Sequence, residues 1–294
     1  MAHRPRKRAK SQNPGVCWQE SNDKRLMGFV GYKAGMTQVS YLDDTESPTK
    51  GQEIVSAATV VEVPPLTVYG VRCYSNKNSV GDILTADEKI LKTAGLKPGK
   101  AVKEDSVDNV RLLVYAMPSK TKIGKKHIEK MELGCGAADI KEKLEYCKSL
   151  LGKELRIADA FKQGEFVDVV CVSKGKGWQG PVKRFGAACQ RRKATGKRRH
   201  VGTLGPFKPG YVMYTAPQAG QTGYHKRTEL NKRILRISDK PEEINPSSGF
   251  PSYGFVNNDY LIVKGSIPGP VKRLIKLRLA SRSPEVRDIE ASII

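Results

Sequence analysis

Residues 166–177 read FVDVVCVSKGKG, and a boundary inside this stretch divides two kinds of sequence. Its first part, Phe166–Val172, is apolar and β-branched, which is typical of a buried strand. The part that follows is basic and rich in glycine. From residue 169 to residue 228 the chain holds 13 Lys or Arg, ten Gly and no Asp or Glu. Because solvated surfaces normally mix both signs of charge, this composition favours a segment that binds a polyanion.

The charge of the rest of the chain is distributed unevenly. The 294 residues include 52 Lys and Arg against 30 Asp and Glu, a formal net charge of +22. Residues 1–25 are basic, contain Pro and Gly, and have no apolar periodicity, which predicts a disordered N-terminal arm. Residues 26–168 are nearly neutral and are expected to form the folded body. No stretch is long and apolar enough for a membrane helix, and the N-terminus has no apolar core of a secretory signal.

Short β-branched runs between turn residues predict the strands of this body. Besides residues 166–172, they are residues 58–63, 71–74, 111–116 and 260–263. Between them lie two predicted helices. The first begins with a capping box at Thr85–Glu88 and ends at Gly95, and the second begins at Asp139 and ends at Gly152. The apolar stripe of the second helix indicates core packing rather than a cofactor site; it consists of Ile140, Leu144, Cys147 and Leu151.

The sequence offers little that could support catalysis. Residues 175–180 (GKGWQG) match GxGxxG after a predicted strand, but Pro181 follows at once and no acidic residue occurs before Glu229. A dinucleotide site requires a helix and an acidic residue there. The six cysteines show no CxxC spacing and no ligand pattern with the histidines, which predicts free thiols in a reducing compartment and no metal site. We expect no enzymatic activity and no cofactor.

Aromatic side chains are interleaved with the cations of the basic segments, an arrangement that favours RNA. Rings can stack on unpaired bases while Lys and Arg contact phosphates. For Tyr211 and Tyr214 a place in the core remains an open alternative. The predicted RNA-binding residues are Arg4, Arg6, Lys7, Arg8, Lys10, Lys174, Lys176, Trp178, Lys183, Arg184, Arg191, Arg192, Lys193, Lys197, Arg198, Arg199, His200, Phe207, Lys208, His225, Lys226 and Arg227.

Two long stretches resemble one known family. They are residues 167–186 (VDVVCVSKGKGWQGPVKRFG) and 196–235 (GKRRHVGTLGPFKPGYVMYTAPQAGQTGYHKRTELNKRIL). Three further stretches support the match: RPRKRAK at 4–10, GFVGYKAGMTQVSYLDD at 28–44 and ATVVEVPPL at 58–66. Together they resemble the large-subunit ribosomal protein L-three family in its archaeal and eukaryotic form. The short chain suits an archaeal member better.

The resemblance implies a mainly β fold with an α+β insertion. The expected architecture is a six-stranded β-barrel of the translation-protein type, an inserted α+β unit, a long basic central finger and a disordered basic tail. The implied boundaries are 1–25 for the tail, 26–75 and 153–272 for the barrel, 173–228 for the finger within it, 76–152 for the insertion and 273–294 for a basic C-terminal segment.

The resemblance also implies a function. Members of the family are structural constituents of the cytoplasmic ribosome that bind large-subunit ribosomal RNA near its 3′ end and help to start subunit assembly. Their finger reaches toward the peptidyl-transferase centre. The implied protein neighbours are of the L-fourteen and L-twenty-four-e types, and neither a membrane nor a second copy of the chain is expected as a partner.

One departure from the family pattern falls at the finger tip. The tip of the family typically reads Gly-Pro/Ala-Trp-His-Pro, whereas residues 205–209 read Gly-Pro-Phe-Lys-Pro. The predicted tip residues are therefore Phe207 and Lys208. Two other classes of protein stay open as alternatives: a DNA-compacting, chromatin-type protein, and an RNA-modifying enzyme, which would need a cofactor pocket.

Overall fold

The computed structural model of the protein describes residues 3–76, 78–97, 107–287 and 289–294. Parts of the predicted tail and of the predicted insertion therefore lie outside the described residues. The chain divides into two compact units. We call residues 15–171 and 228–294 the body, and residues 1–14 and 172–227 the basic unit. The predicted domain boundaries differ from this division and stay a prediction.

Strands dominate the described chain, which confirms a mainly β protein. In chain order they are β1 (Gly28–Leu42), β2 (Glu53–Glu62), β3 (Leu66–Ser75), β4 (Asn78–Leu84), β5 (Asn109–Ala116), β6 (Glu129–Gly134), β7 (Glu154–Leu155), β8 (Phe166–Val172), β9 (Trp178–Gln179), β10 (Gly220–Gln221), β11 (Lys226–Ser238), β12 (Tyr260–Lys264), β13 (Leu274–Leu279) and β14 (Ala291–Ile293). The α-helices are α1 (Glu88–Ala94), α2 (Ile140–Ser149) and α3 (Pro181–Phe185).

The larger sheet has the strand order β13-β8-β11-β12-β2-β1-β14, and β13 also pairs with β1. Six of its strands therefore form a closed ring of pairings, and β14 is added to β1 alone. Residues on these strands, including Phe29, Val60, Val169 and Ile262, are completely buried and belong to the main hydrophobic core. In chain order the basic segment lies between β8 and β11, two neighbouring strands of this ring.

The second sheet has the order β4-β3-β5-β6, with β7 paired to β3. Strand β3 follows β2 after Pro64 and Pro65, yet it pairs only within this second sheet among the described strands. The two prolines explain the change of sheet, because proline cannot donate a hydrogen bond to a ladder. Helix α2 contributes Leu144 and Cys147 to the main core, and Leu151, just after the helix, packs against it. Ile140 is 44% exposed, so the predicted stripe is core packing only in part.

All five predicted strands are present, in β2, β3, β5, β8 and β12, although the first was predicted one residue too far, to Val63. Both predicted helices are present as well, but the start of α1 was predicted two residues too early. The Asp87 side chain, not that of Thr85, accepts the hydrogen bond from the Lys89 amide at 3.0 Å and caps the helix. Gly95 ends α1 in the left-handed conformation, as expected of a C-cap glycine.

Two segments predicted to lie outside the body make contacts within it. Trp18 packs on the core, and a Cβ atom added at Gly28 or Gly134 would lie 2.5 or 2.8 Å from its ring. Arg25 forms a two-pronged ion pair with Glu165, both N–O distances being 2.9 Å. Residues 274–279, within the predicted basic C-terminal segment, form β13. A single tryptophan carries no periodic signal, whereas residues 275–279 (IKLRL) alternate apolar and basic side chains, a strand pattern that the sequence analysis missed.

Candidate nucleic-acid interface

The basic unit joins two segments that are 157 residues apart in the sequence, at 1–14 and 172–227. Five Lys or Arg lie in the first and 13 in the second, and neither contains Asp or Glu. These 18 positive charges account for most of the net charge of +22. The body, with the remaining Lys and Arg and all 30 acidic residues, is close to neutral. Folding therefore gathers the excess charge into one unit.

Two chain segments pair at one end of the basic unit, and we call residues 172–177 and 222–227 its base. The Ser173 amide donates to the His225 carbonyl at 2.9 Å, and the Lys176 amide donates to the Thr222 carbonyl at 2.9 Å. Gly223 permits this close pairing: its φ is +71°, and a Cβ atom there would lie 2.0 Å from the Lys174 carbonyl oxygen. Only glycine adopts this conformation without strain.

The N-terminal segment runs along the base, beside its two paired segments. The Ala9 amide donates to the Tyr224 carbonyl at 2.8 Å. The Arg227 guanidinium donates to the backbone carbonyls of Pro5 at 3.2 Å and His3 at 3.4 Å. These contacts arrange residues 3–9 of the predicted tail along 224–227 and link the two basic segments.

Arginines of the N-terminal segment stack on aromatic rings of the second segment. Arg6 lies 4.1 Å from the centre of the Phe185 ring, and Arg4 and Arg8 lie 5.3 and 5.5 Å from those of Tyr214 and Tyr224. Such contacts stabilise a cation by about 0.5–1 kcal/mol when exposed. They also order arginines that would otherwise be flexible.

Positively charged side chains of the N-terminal segment lie near Arg184 and Arg227. Burial lowers the pKa of the Arg184 guanidinium, and the positive charges of Arg6 and Arg4 lower it further. Burial and Arg6 lower the pKa of Arg227 in the same way. Arginine nevertheless stays charged at neutral pH. A cluster of guanidinium groups without a carboxylate is a site that an anion such as a phosphate would stabilise.

Most of the predicted RNA-binding residues are exposed on the basic unit. The exceptions are Arg6, Arg184 and Arg227, which are half-buried, and His225, which is buried. Arg184 donates from Nε to the Gln221 carbonyl and from one terminal nitrogen to the Gln218 carbonyl, at 3.1 and 3.0 Å. These arginines therefore hold the loop together as well as adding charge, which their sequence context did not indicate.

Residues 186–219 of the basic unit contain no helix or strand. The predicted tip lies within this stretch. Phe207 is 93% exposed, beside a cleft of about 340 Å³ lined by residues 204–207 and 209–212. Tyr211 and Tyr214 are also exposed, at 69% and 81%, so the alternative that they belong to the core is wrong.

The structure gives no support to a dinucleotide site at residues 175–180. The helix that follows, α3, is only five residues long and has no buried residue. Such a site needs a longer helix with an apolar face. Among the described residues, no three His, Cys, Asp or Glu side chains are grouped as metal ligands. In the same part of the chain, no helix is long and apolar enough to cross a bilayer.

A mainly β body together with a separate basic and aromatic unit that lacks carboxylates defines a nucleic-acid-binding protein. The chain belongs to the ribosomal protein L3 family, whose profile matches residues 1–87 and 93–293. This confirms the resemblance seen in the sequence. The protein is therefore a structural constituent of the large ribosomal subunit in the cytoplasm, and not an enzyme.

Three archaeal relatives illustrate the match. The large ribosomal subunit protein uL3 of Methanothermobacter thermautotrophicus is 43% identical over 96% of this chain and 90% of its own length. That of Archaeoglobus fulgidus is 43% identical over 97% of this chain and 91% of its own. That of Methanocaldococcus jannaschii is 42% identical, with the same coverage of 97% and 91%.

Proposed function

We propose that this protein binds large-subunit ribosomal RNA directly through its basic unit. The observation that carries the proposal is the segregation of charge: 18 Lys and Arg and no carboxylate lie in one unit assembled from two distant segments. An RNA backbone supplies the many regularly spaced negative charges that such a surface needs. Exposed rings, Trp178 and Phe207 among them, add stacking surfaces for unpaired bases.

The proposal includes the finer assignments that family resemblance implies. The protein binds near the 3′ end of the RNA and helps to start subunit assembly, and Phe207 and Lys208 reach toward the peptidyl-transferase centre. The closed ring of strands is a translation-protein-type barrel, the second sheet with its helices is the α+β insertion, and residues 173–228 are the finger. The neighbouring proteins are of the L-fourteen and L-twenty-four-e types.

A comparison of nucleic acids tests the RNA assignment. We expect the full chain to bind large-subunit ribosomal RNA more tightly than unrelated RNA of equal length or duplex DNA, because only the first offers folded single-stranded loops of matching shape. Filter binding at one fixed salt concentration measures the three affinities. Equal affinities for all three would instead support a general nucleic-acid-compacting protein.

The exposed ring of Phe207 gives a second test. Phe207→Ala should remove about 1–3 kcal/mol of base stacking, whereas Phe207→Trp should keep it. Because many phosphate contacts remain, subunits with Phe207→Ala should still assemble but show altered chemical probing at the peptidyl-transferase centre. Unchanged probing, together with a lower melting temperature of the free protein, would show that Phe207 acts as a packing residue and would contradict the assignment.

A further inference from the structure

His225 is a predicted RNA-binding residue, yet it lies buried at the base of the basic unit, with 9% of its surface exposed. Both of its ring nitrogens are engaged. The Gly223 amide donates to Nε2 at 3.0 Å, and Nδ1 lies 2.9 Å from the Lys7 carbonyl oxygen. Its own backbone amide donates to the Ser173 hydroxyl oxygen at 3.1 Å. The ring therefore joins the turn at Gly223 to the N-terminal segment, and the backbone amide of the same residue joins them to Ser173.

The partners of the imidazole determine its tautomer. A backbone amide can only donate, so Nε2 must be the acceptor and carry no proton. The proton of the neutral ring then lies on Nδ1, which donates it to the Lys7 carbonyl oxygen. Both nitrogens are used within the protein, and the ring has no further polar atom with which to bind RNA.

The carbonyl that His225 binds lies in the middle of the N-terminal segment. On either side of it, Pro5 accepts from Arg227 and Ala9 donates to Tyr224. The residues adjacent to Lys7 are Arg6 and Arg8, the two arginines that stack on the rings of Phe185 and Tyr224. A hydrogen bond to Lys7 therefore fixes the part of the segment from which both arginines project.

We propose that His225 is a positioning residue that holds the N-terminal segment on the base of the basic unit, so that Arg6 and Arg8 are in place before RNA binds. The role assigned to His225 rests on the proposed RNA-binding function, whereas its hydrogen bonds do not depend on that function. A segment that is ordered in advance loses less conformational entropy on binding, which raises affinity without adding a contact. His225 itself does not touch the RNA.

Two conservative substitutions separate the two hydrogen bonds of the ring. His225→Asn keeps an N–H donor at the position of Nδ1 and can still bind the Lys7 carbonyl, but it loses the acceptor for Gly223. His225→Gln keeps an acceptor at the position of Nε2 for Gly223 but loses the donor to Lys7. If the residue served only the turn at Gly223, Gln would be the better replacement. If it holds the N-terminal segment, Asn would be the better replacement.

The first readout is tryptic cleavage after Arg6 and Arg8 in the full chain without RNA. Wild type and His225→Asn should be cleaved slowly, and His225→Gln about 2–10-fold faster, the factor that corresponds to one net hydrogen bond. Equal melting temperatures of the variants show that the body is intact. Equal cleavage of both variants, or faster cleavage of His225→Asn, would overturn the proposal.

The second readout is binding to a transcript of large-subunit ribosomal RNA over a range of salt concentrations. His225→Gln should bind about 2–10-fold more weakly with an unchanged salt dependence, because Arg6 and Arg8 still reach the RNA in the complex. A shallower salt dependence would mean lost phosphate contacts and would overturn the positioning role. If wild type did not prefer this RNA, the proposed function would be contradicted. Faster tryptic cleavage of His225→Gln than of His225→Asn would still support the role of His225 in holding the N-terminal segment.

Discussion

Neutralising the exposed cations between residues 191 and 199 should weaken RNA binding more than any other change of equal size. The six side chains to be replaced by Gln are Arg191, Arg192, Lys193, Lys197, Arg198 and Arg199. Each phosphate contact that is lost should make the slope of log affinity against log salt shallower by about 0.7–0.9. If all six contact phosphates, affinity at 0.15 M salt should fall on the order of 10³–10⁴-fold.

The body supplies a control variant of equal net charge. Six exposed lysines outside the basic unit can be replaced by Gln in the same way: Lys50, Lys89, Lys97, Lys122, Lys126 and Lys141. This variant should keep the wild-type salt slope, because only contacts within the interface release counterions. An equal loss of affinity in both variants would show that total charge, and not the basic unit, governs binding.

Replacing the buried carboxylate Glu62 by Ala should destabilise the body by about 3–5 kcal/mol. Glu62, at the end of β2, is completely buried. Its Oε1 accepts from the Asn257 amide, the Asn258 amide and the Asn258 side chain, at 3.0, 3.1 and 2.7 Å. The Tyr253 hydroxyl donates to its other oxygen. Alanine would remove the acceptor of the two backbone amides and of the Tyr253 hydroxyl, whereas the Asn258 side chain would keep its hydrogen bond to the Lys120 carbonyl at 2.9 Å.

Thermal unfolding of the full chain measures this effect. Glu62→Gln keeps an acceptor oxygen of similar shape and should cost less than Glu62→Ala, although its amide N–H₂ cannot accept from Tyr253. Glu88→Ala removes a carboxylate whose side chain is 80% exposed and should leave stability nearly unchanged. If all three variants had the same melting temperature, the carboxylate would not fix the loop at 253–258 to the body.

Much of the body could be predicted because its signals are local. Phe166–Val172 and Arg111–Ala116 are short runs rich in β-branched or other large apolar side chains, which suit a buried pleated sheet wherever their partners lie. Strand β1, the longest, was not predicted as a strand. Its Gly31 and Gly35 weaken the strand pattern, yet a Cβ atom at either would lie 2.5 Å from a side chain of another segment. Those glycines are explained by packing, which the local sequence does not show.

The candidate interface also combines properties that the sequence predicts with properties that only the tertiary structure reveals. The sequence alone determined that residues 169–228 and the N-terminal segment would be basic and lack carboxylates, since charge is a property of composition. Only the tertiary structure decided which cations are exposed and which are used internally. Arg191 and Arg198 are exposed, whereas Arg184 binds backbone carbonyls and His225 is buried.

The joining of the two basic segments likewise belongs to the tertiary structure. The hydrogen bonds of Ala9 with Tyr224 and of Lys7 with His225 connect residues more than 200 positions apart. The first joins two backbone groups that every residue type except proline offers, and the second joins the His225 ring to a backbone carbonyl, so no local sequence pattern records either partner. The sequence supplied a polyanion-binding composition, and the fold brought its two parts into one surface.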